Sequence, residues 1–271
     1  MGKRHRHRQY RFYPVQVTPP QGFNHLVVLP GRVYRAVMLS RPLTVTLDAH
    51  DPNRLAQFWA GMLDREVVED AGATSLPGTE TQPSLRFVRS STEKVGRNRI
   101  HVHLTSASDA DQQHTVATAL RLGASHLDVG QRPEEGHIVL ADPEGNEFCV
   151  IEPGNAFLAG CGFLGELSCD GTREVGLFWS EALGWPLVWD QDQETAVQSP
   201  HGGTKVAWGG PPLAPKKTRN RQRLDLASLG GGQQAEVDRL VSLGATQLEI
   251  ADDGTVVLAD PDGNEFGLTA D

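Results

Sequence analysis

No apolar run in this sequence approaches the roughly 20 residues needed to span a bilayer, so nothing in it reads as a membrane anchor. Cysteine is scarce: Cys149, Cys161 and Cys169 form no CxxC pair and no even framework. A disulfide scaffold is thereby excluded, and a reduced, cytoplasmic interior is expected. Acidic residues are missing from positions 1–42, which carry eight Lys/Arg, so the rest of the chain sets 17 basic residues against 34 acidic ones. A body that acidic argues against nucleic acid as the main partner. A GxSxG elbow, a P-loop, an HExxH helix and an EF-hand loop are also absent. "GCGFLG" at 160–165 matches GxGxxG by letter, yet the strand-like "ELSC" follows where a helix would have to open. Without helix amides and their dipole there is no pyrophosphate site.

The basic start, with Pro14, Pro19 and Pro20 and no sustained hydrophobic period, reads as a disordered extension over 1–42, or as an upstream start ahead of a natural initiation at Met38. A transit peptide or a nucleic-acid arm is the competing reading of an acid-poor, Arg-rich start.

What the chain does have is a repeat. "IVLADPEGNEF" at 138–148 returns as "VVLADPDGNEF" at 256–266, and "NRIHVHL" at 98–104 returns as "NRQRLDL" at 220–226. "TLDAHDPNRLAQFWAGMLDR" is answered by "ELSCDGTREVGLFWSEALGW". A nearly constant offset of this kind, with small loop changes, means a duplicated block, with domains at 43–153 and 163–271 and a linker at 154–162. Within each block the pattern is β-α-β-β-β, twice. "LTVTLDA" alternates with period two; Asp51-Pro52 then supplies an N-cap and a proline at N1, and Leu55, Phe58, Trp59 and Met62 follow at helical spacing. Gly123 suits a left-handed helix end. Trp59 and Trp179 fall in helix stripes and read as core; Trp185, Trp189 and Trp208 are core by default, with ligand stacking as the alternative.

A βαβββ module used in pairs, with D-P-x-x-L-A-x-F-W, N-R-x-H and A-D-P-x-G-N-E-F in order, resembles the vicinal oxygen chelate superfamily, and within it the small glyoxalase-like, bleomycin-resistance-like domains. The resemblance implies an α+β fold in which paired modules curl a mixed sheet into a cup with helices outside, two such domains in tandem. It implies a small-molecule ligand on the concave face, and a monomer or homodimer, since two cups in one chain imitate the dimers of single-domain relatives.

If Val45, Leu47, Phe148 and Val150 pack under the helices, period two turns the alternate residues into the cups. Copy one would then line its cup with Thr44, Thr46, Asp48, Arg99, His101, His103, Glu147 and Cys149. Copy two would offer Glu166, Ser168, Arg221, Arg223, Asp225, Glu265 and Thr269. The superfamily's metal positions fall on Thr44, Arg86 or Val88, His101 and Cys149 in copy one, and on Leu164, about Val206, Arg223 and Gly267 in copy two. That set implies no firm cofactor; a divalent metal would need His101, His103 and Cys149 as its ligands. The leading expectation is a metal-independent site in the copy-one cup that binds or transforms a polar molecule, with His101 or His103 as general base paired with Asp48. The alternatives are a metal-dependent lyase, isomerase or dioxygenase, and a scaffold whose cups are filled by side chains. Cys149 is either a nucleophile or a buried structural thiol.

Overall fold

The computed structural model describes residues 26–29, 32–35, 43–70, 73–132, 134–229 and 232–270. It divides into two units, 1–37 and 38–271. In the first, β1 (Leu26–Leu29) and β2 (Arg32–Arg35) pair as an antiparallel hairpin. Val27, Val28, Val33 and Tyr34 are strong strand formers. The rest of the 1–42 expectation lies outside the described residues.

The second unit holds four βαβββ modules. Module one is β3 (Leu43–Ala49), α1 (Pro52–Leu63), β4 (Val68–Asp70), β5 (Ala73–Leu76) and β6 (Ser84–Arg89). Module two is β7 (Ile100–Leu104), α2 (Asp109–Leu122), β8 (Ser125–His126), β9 (Ile138–Ala141) and β10 (Glu147–Val150). Module three is β11 (Leu164–Cys169), α3 (Arg173–Leu183), β12 (Leu187–Gln191), β13 (Glu194–Gln198) and β14 (Lys205–Trp208). Module four is β15 (Gln222–Ala227), α4 (Gln233–Ser242), β16 (Thr246–Ile250), β17 (Val256–Ala259) and β18 (Glu265–Thr269).

Local sequence explains the helices. Asp51 Oδ1 accepts from Arg54 N at 3.1 Å at the start of α1, and Ser108 and Thr172 cap α2 and α3 in the same way. Gly123 ends α2 with φ +111°, as its position in the sequence suggests. The α3 helix lies hard against β13: a Cβ on Gly176 would sit 1.9 Å from Thr195 Oγ1. Gly176→Ala should therefore destabilise the fold by about 2 kcal/mol, overpacking outweighing the helix propensity gained. Urea unfolding tests it, and an unchanged or raised midpoint would show that the contact is slack.

The two eight-stranded sheets do not follow the sequence repeat. One runs β12-β13-β14-β11-β7-β10-β9-β8 and the other β16-β17-β18-β15-β3-β6-β5-β4. Modules two and three thus share one sheet, joined by the antiparallel β7–β11 pair, while modules one and four share the other through β3–β15. The expected cup of copy one alone is therefore corrected: each cup draws one module from each copy. Each copy is still a packing unit on the helix side. Phe58 and Trp59 of α1 meet Phe148 of β10 edge-on, with ring centroids 5.9 and 5.3 Å apart, and Trp179 meets Phe266 at 5.1 Å.

The repeated A-D-P-x-G-N-E-F segment holds these halves together. Asp142 accepts from the backbone N–H of Glu144 and of Asn146, both at 2.9 Å, from Asn146 Nδ2, and from the Trp59 indole at 3.3 Å. Asp260 repeats the arrangement with Asp262, Asn264 and Trp179. One carboxylate closes the turn before the last strand and pins the helix of the preceding module.

Candidate active site in the cup of modules two and three

Strand alternation sends Ile100, Val102 and Leu104 into the core and leaves His101 and His103 on the concave face of β7. On β10, Phe148 and Val150 are core, so Cys149 faces the cup. On β11 the register shifts between Leu164 and Glu166. This bulge at Gly165, where a Cβ would meet Thr105 Cγ2 at 2.5 Å, turns Leu164 into the core and Glu166 into the cup. Leu164 is thereby corrected as the position facing a ligand; Glu166 takes it.

The strands then align four side chains in one row. Cys149 pairs with His103, His103 with Glu166, and Glu166 with Lys205 of β14. His103 Nδ1 lies 2.7 Å from Glu166 Oε2, with side-chain exposures of only 13% and 5%, so the pair is shielded from bulk water. Burial by itself would lower the His103 pKa. The Cys149 sulfur and the Glu166 carboxylate, by charge and by hydrogen bond, outweigh it and raise it to about 10. His101 goes the other way. Burial lowers it to about 4, helped by the positive charges of His103, Arg97 and Lys94 and opposed by Glu147. At neutral pH the strand thus presents one imidazolium and one neutral imidazole, two residues apart. His137 is also lowered, by burial and then by His103.

The linker packs against this row. Leu158 and Cys161 are buried with Ile151, against Cys149 and Phe157. Lys205 Nζ donates to the Phe157 carbonyl and lies 4.4 Å from the centroid of its ring. Phe157 in turn meets Trp189 edge-on at 6.0 Å. Gln82 of module one fixes the linker's end, its Nε2 donating to Cys161 O and Leu164 O at 3.0 and 3.2 Å. Trp185 and Trp208 are core, and Trp189 is partly exposed.

Several expected site residues lie elsewhere. Asp48 is on the other sheet, where its carboxylate accepts from Arg223 Nη1 at 2.8 Å, so it is no partner for His101 or His103. Arg99 binds Asn264 Oδ1 and Ala214 O at 3.0 and 2.6 Å and ties module two to module four, outside the cup. Arg221 joins Thr92 O, Asp48 O and Glu144. Glu147 holds Lys94 at 2.6 Å, and Glu265 holds Lys216 at 2.5 Å, each at the first position of its strand. In the cup of modules one and four, Thr44 bonds Ser84 at 2.7 Å and Asp225 accepts from Gly267 N at 2.5 Å. Thr46, between Arg223 and Arg86 in register, completes this floor, its buried hydroxyl without a hydrogen-bond partner among the described residues. Thr269 of β18 donates to Leu226 O at 3.4 Å. Lys205 was not singled out from the sequence, the register having been placed one residue on at Val206.

The glyoxalase-like domain family matches residues 44–151 and 166–269, which between them hold all four modules. The chain belongs to this family, twice over. Glyoxalase-like structures elsewhere share its fold. Glyoxalase I from Zea mays superposes with a TM-score of 0.61 at 14% identity, over 85% of this chain and 92% of that one. A putative dioxygenase from Bacillus subtilis subsp. subtilis str. 168 does so with a TM-score of 0.56 at 12% identity, over 86% of each chain. No match was found among curated proteins. Tandem vicinal oxygen chelate modules, as the motifs imply, are thus the architecture. Among the described residues, no helix is long and apolar enough to cross a membrane.

The superfamily's divalent metal fits this glyoxalase-like cup poorly. Glu166 is engaged with His103, and Lys205 brings a cation into the row where a metal would need another donor. Among the described residues, no group of three His, Cys, Asp or Glu side chains is placed to hold a metal ion.

Proposed function

We propose that the protein takes a polar small molecule into the cup of modules two and three and acts on it by metal-independent acid–base chemistry. The observation that carries this reading is the Cys149–His103–Glu166–Lys205 row, a thiol, an acid, a carboxylate and an ammonium in register across four adjacent strands. Glu166 holds the His103 ring, whose proton is the acid; neutral His101 is the base beside it. Paired groups whose environments push their pKa values apart are how one site runs both directions of proton transfer near neutral pH. A soluble, cytoplasmic protein working as a monomer fits this reading, because both modules of the cup come from one chain.

The test joins elemental analysis of untagged protein, purified without chelator, to a thermal-shift screen of polar small molecules on wild type and His103→Gln. Metal well below one equivalent, with a compound that raises the wild-type Tm and not that of the variant, is the expected result. One equivalent of zinc, iron, manganese or nickel that disappears in His103→Ala would sink the metal-independent reading and favour a lyase, isomerase or dioxygenase. The buried linker residues Leu158 and Cys161 favour a second reading, a cup filled by its own chain. Under that reading no compound shifts the Tm.

A further inference from the structure

We propose that Cys149 is a nucleophile that adds to small conjugated carbonyl compounds, with His103 delivering the proton and Glu166 acting as a positioning residue. The inference rests on the reading above that this cup takes a polar small molecule, and it names the substrate class. Three thiols are present, and only Cys149 is partly exposed; Cys161 and Cys169 are buried. Cys149 is also the one paired in register with a histidine. With His103 Nδ1 committed to Glu166 at 2.7 Å, the remaining ring nitrogen is the one available to the sulfur.

This is the arrangement that makes a cysteine reactive. An imidazolium beside the sulfur favours its anionic form, and a third group fixes the ring. Burial raises the Cys161 thiol, and it raises the Cys169 thiol further, with Glu166, Asp170 and Asp260 adding to the effect.

The step balances without a co-reactant. The sulfur lone pair forms a C–S bond at the β-carbon, and the C=C electron pair moves to give the enolate. The enolate takes the His103 proton, leaving a neutral ring and a saturated adduct. Nothing is oxidised or reduced, no group leaves, and the reverse sequence regenerates the thiolate–imidazolium pair. A conjugated carbonyl suits the site because its oxygen gathers charge next to two cations, His103 and Lys205, in a place shielded from water. The buried cluster of Ile151, Leu158 and Cys161, against which Cys149 packs, restricts the substrate to small molecules.

N-ethylmaleimide, itself a conjugated carbonyl compound, is the probe, used on the full chain with intact mass and peptide mapping as readouts. The expected result is a single addition, at Cys149, with a rate that changes less than about threefold between pH 6 and pH 8. An ordinary thiol, ionising near 8.5, speeds up about 75-fold over the same range. His103→Gln should slow the pH 6 reaction at least about tenfold and restore the steep pH profile, and Glu166→Gln should fall between. Far-UV circular dichroism checks that each variant folds; should His103→Gln unfold, the wild-type pH profile and the loss of addition in Cys149→Ser decide alone. First labelling at Cys161 or Cys169, no labelling before urea is added, or a wild-type rate with the steep profile of an ordinary thiol overturns the proposal. The compound screen is repeated on Cys149→Ser, whose cup lacks only the sulfur. Retained binding there with an unreactive Cys149 in wild type removes thiol addition and leaves the cup reading standing.

Discussion

Replacing Glu166 by Gln is expected to lower the stability of the fold by about 3 kcal/mol at pH 7, since it leaves a buried cation without its carboxylate. The shape is kept, so the loss reports charge. The carboxylate is 5% exposed and 2.7 Å from His103 Nδ1, and no bulk water is at hand to replace it. The pH dependence separates this from a packing defect. The folded pKa of His103 is raised, to about 10, against about 6.5 in the unfolded chain. Between those values the folded protein keeps a proton that the unfolded chain has released. The contribution is thus complete below about pH 6.5 and is lost as the pH climbs through 10, with an upper bound on the order of 5 kcal/mol. In Glu166→Gln the alkaline fall should start from the same pH, since the unfolded chain is unchanged, but should be smaller and end at lower pH. Urea midpoints at pH 6, 7.5 and 9 measure it; parallel curves for the two proteins would mean that the pair does not titrate as described.

Asp142→Ala should be as damaging, by about 3–4 kcal/mol, or roughly 10 °C in Tm for a body of this size. The substitution orphans the Glu144 and Asn146 amides, Asn146 Nδ2 and the Trp59 indole together, in a place the protein buries. Asp260→Ala should match it, because Asp260 repeats each of those bonds. Asp142→Asn tests the charge. Burial pushes the Asp142 carboxyl up to about 6, against the opposing effect of its hydrogen bonds. A raised acid means that the folded state holds a proton between about pH 4 and 6 that the unfolded chain has lost. Its contribution to stability is therefore greatest below about pH 4 and declines as the pH rises through 6. The neutral Asn variant lacks that decline, so its deficit relative to wild type should be widest near pH 4 and narrower at pH 7. A deficit that widens toward pH 7 would show that the hydrogen bonds hold Asp142 charged.

Much of this was readable beforehand. Period two placed Val45 and Leu47 inward and Thr44, Thr46 and Asp48 outward, as found. The Asp51-Pro52 cap and the Gly123 helix end follow from side-chain and backbone chemistry confined to a few residues, which is why they needed no tertiary information. His101, His103, Cys149, Glu166 and Ser168 were all expected on concave surfaces, but in two cups, and the structure brings them into one.

The pairing of strands was not readable. Alternation says which face a residue takes, and is silent on which strand lies alongside. The free edges of β3 and β7 presented the same unpaired amides and carbonyls to any partner, and only packing of the whole unit sent β11 to one and β15 to the other. The Asp48–histidine pair failed for that reason. Leu164 failed for a different one: a single extra residue at Gly165 reverses every inward and outward assignment on its far side, and no local signal separates that bulge from a linker glycine.

From its own residues, then, the chain determined its four modules, their capped helices and the inward faces of their strands, because those depend on neighbours a few positions away. Tertiary structure alone decided that Glu166 and Lys205 would stand beside His103 and Cys149. That meeting depends on hydrogen-bond partners tens of residues apart, and on a bulge that only the assembled sheet can place.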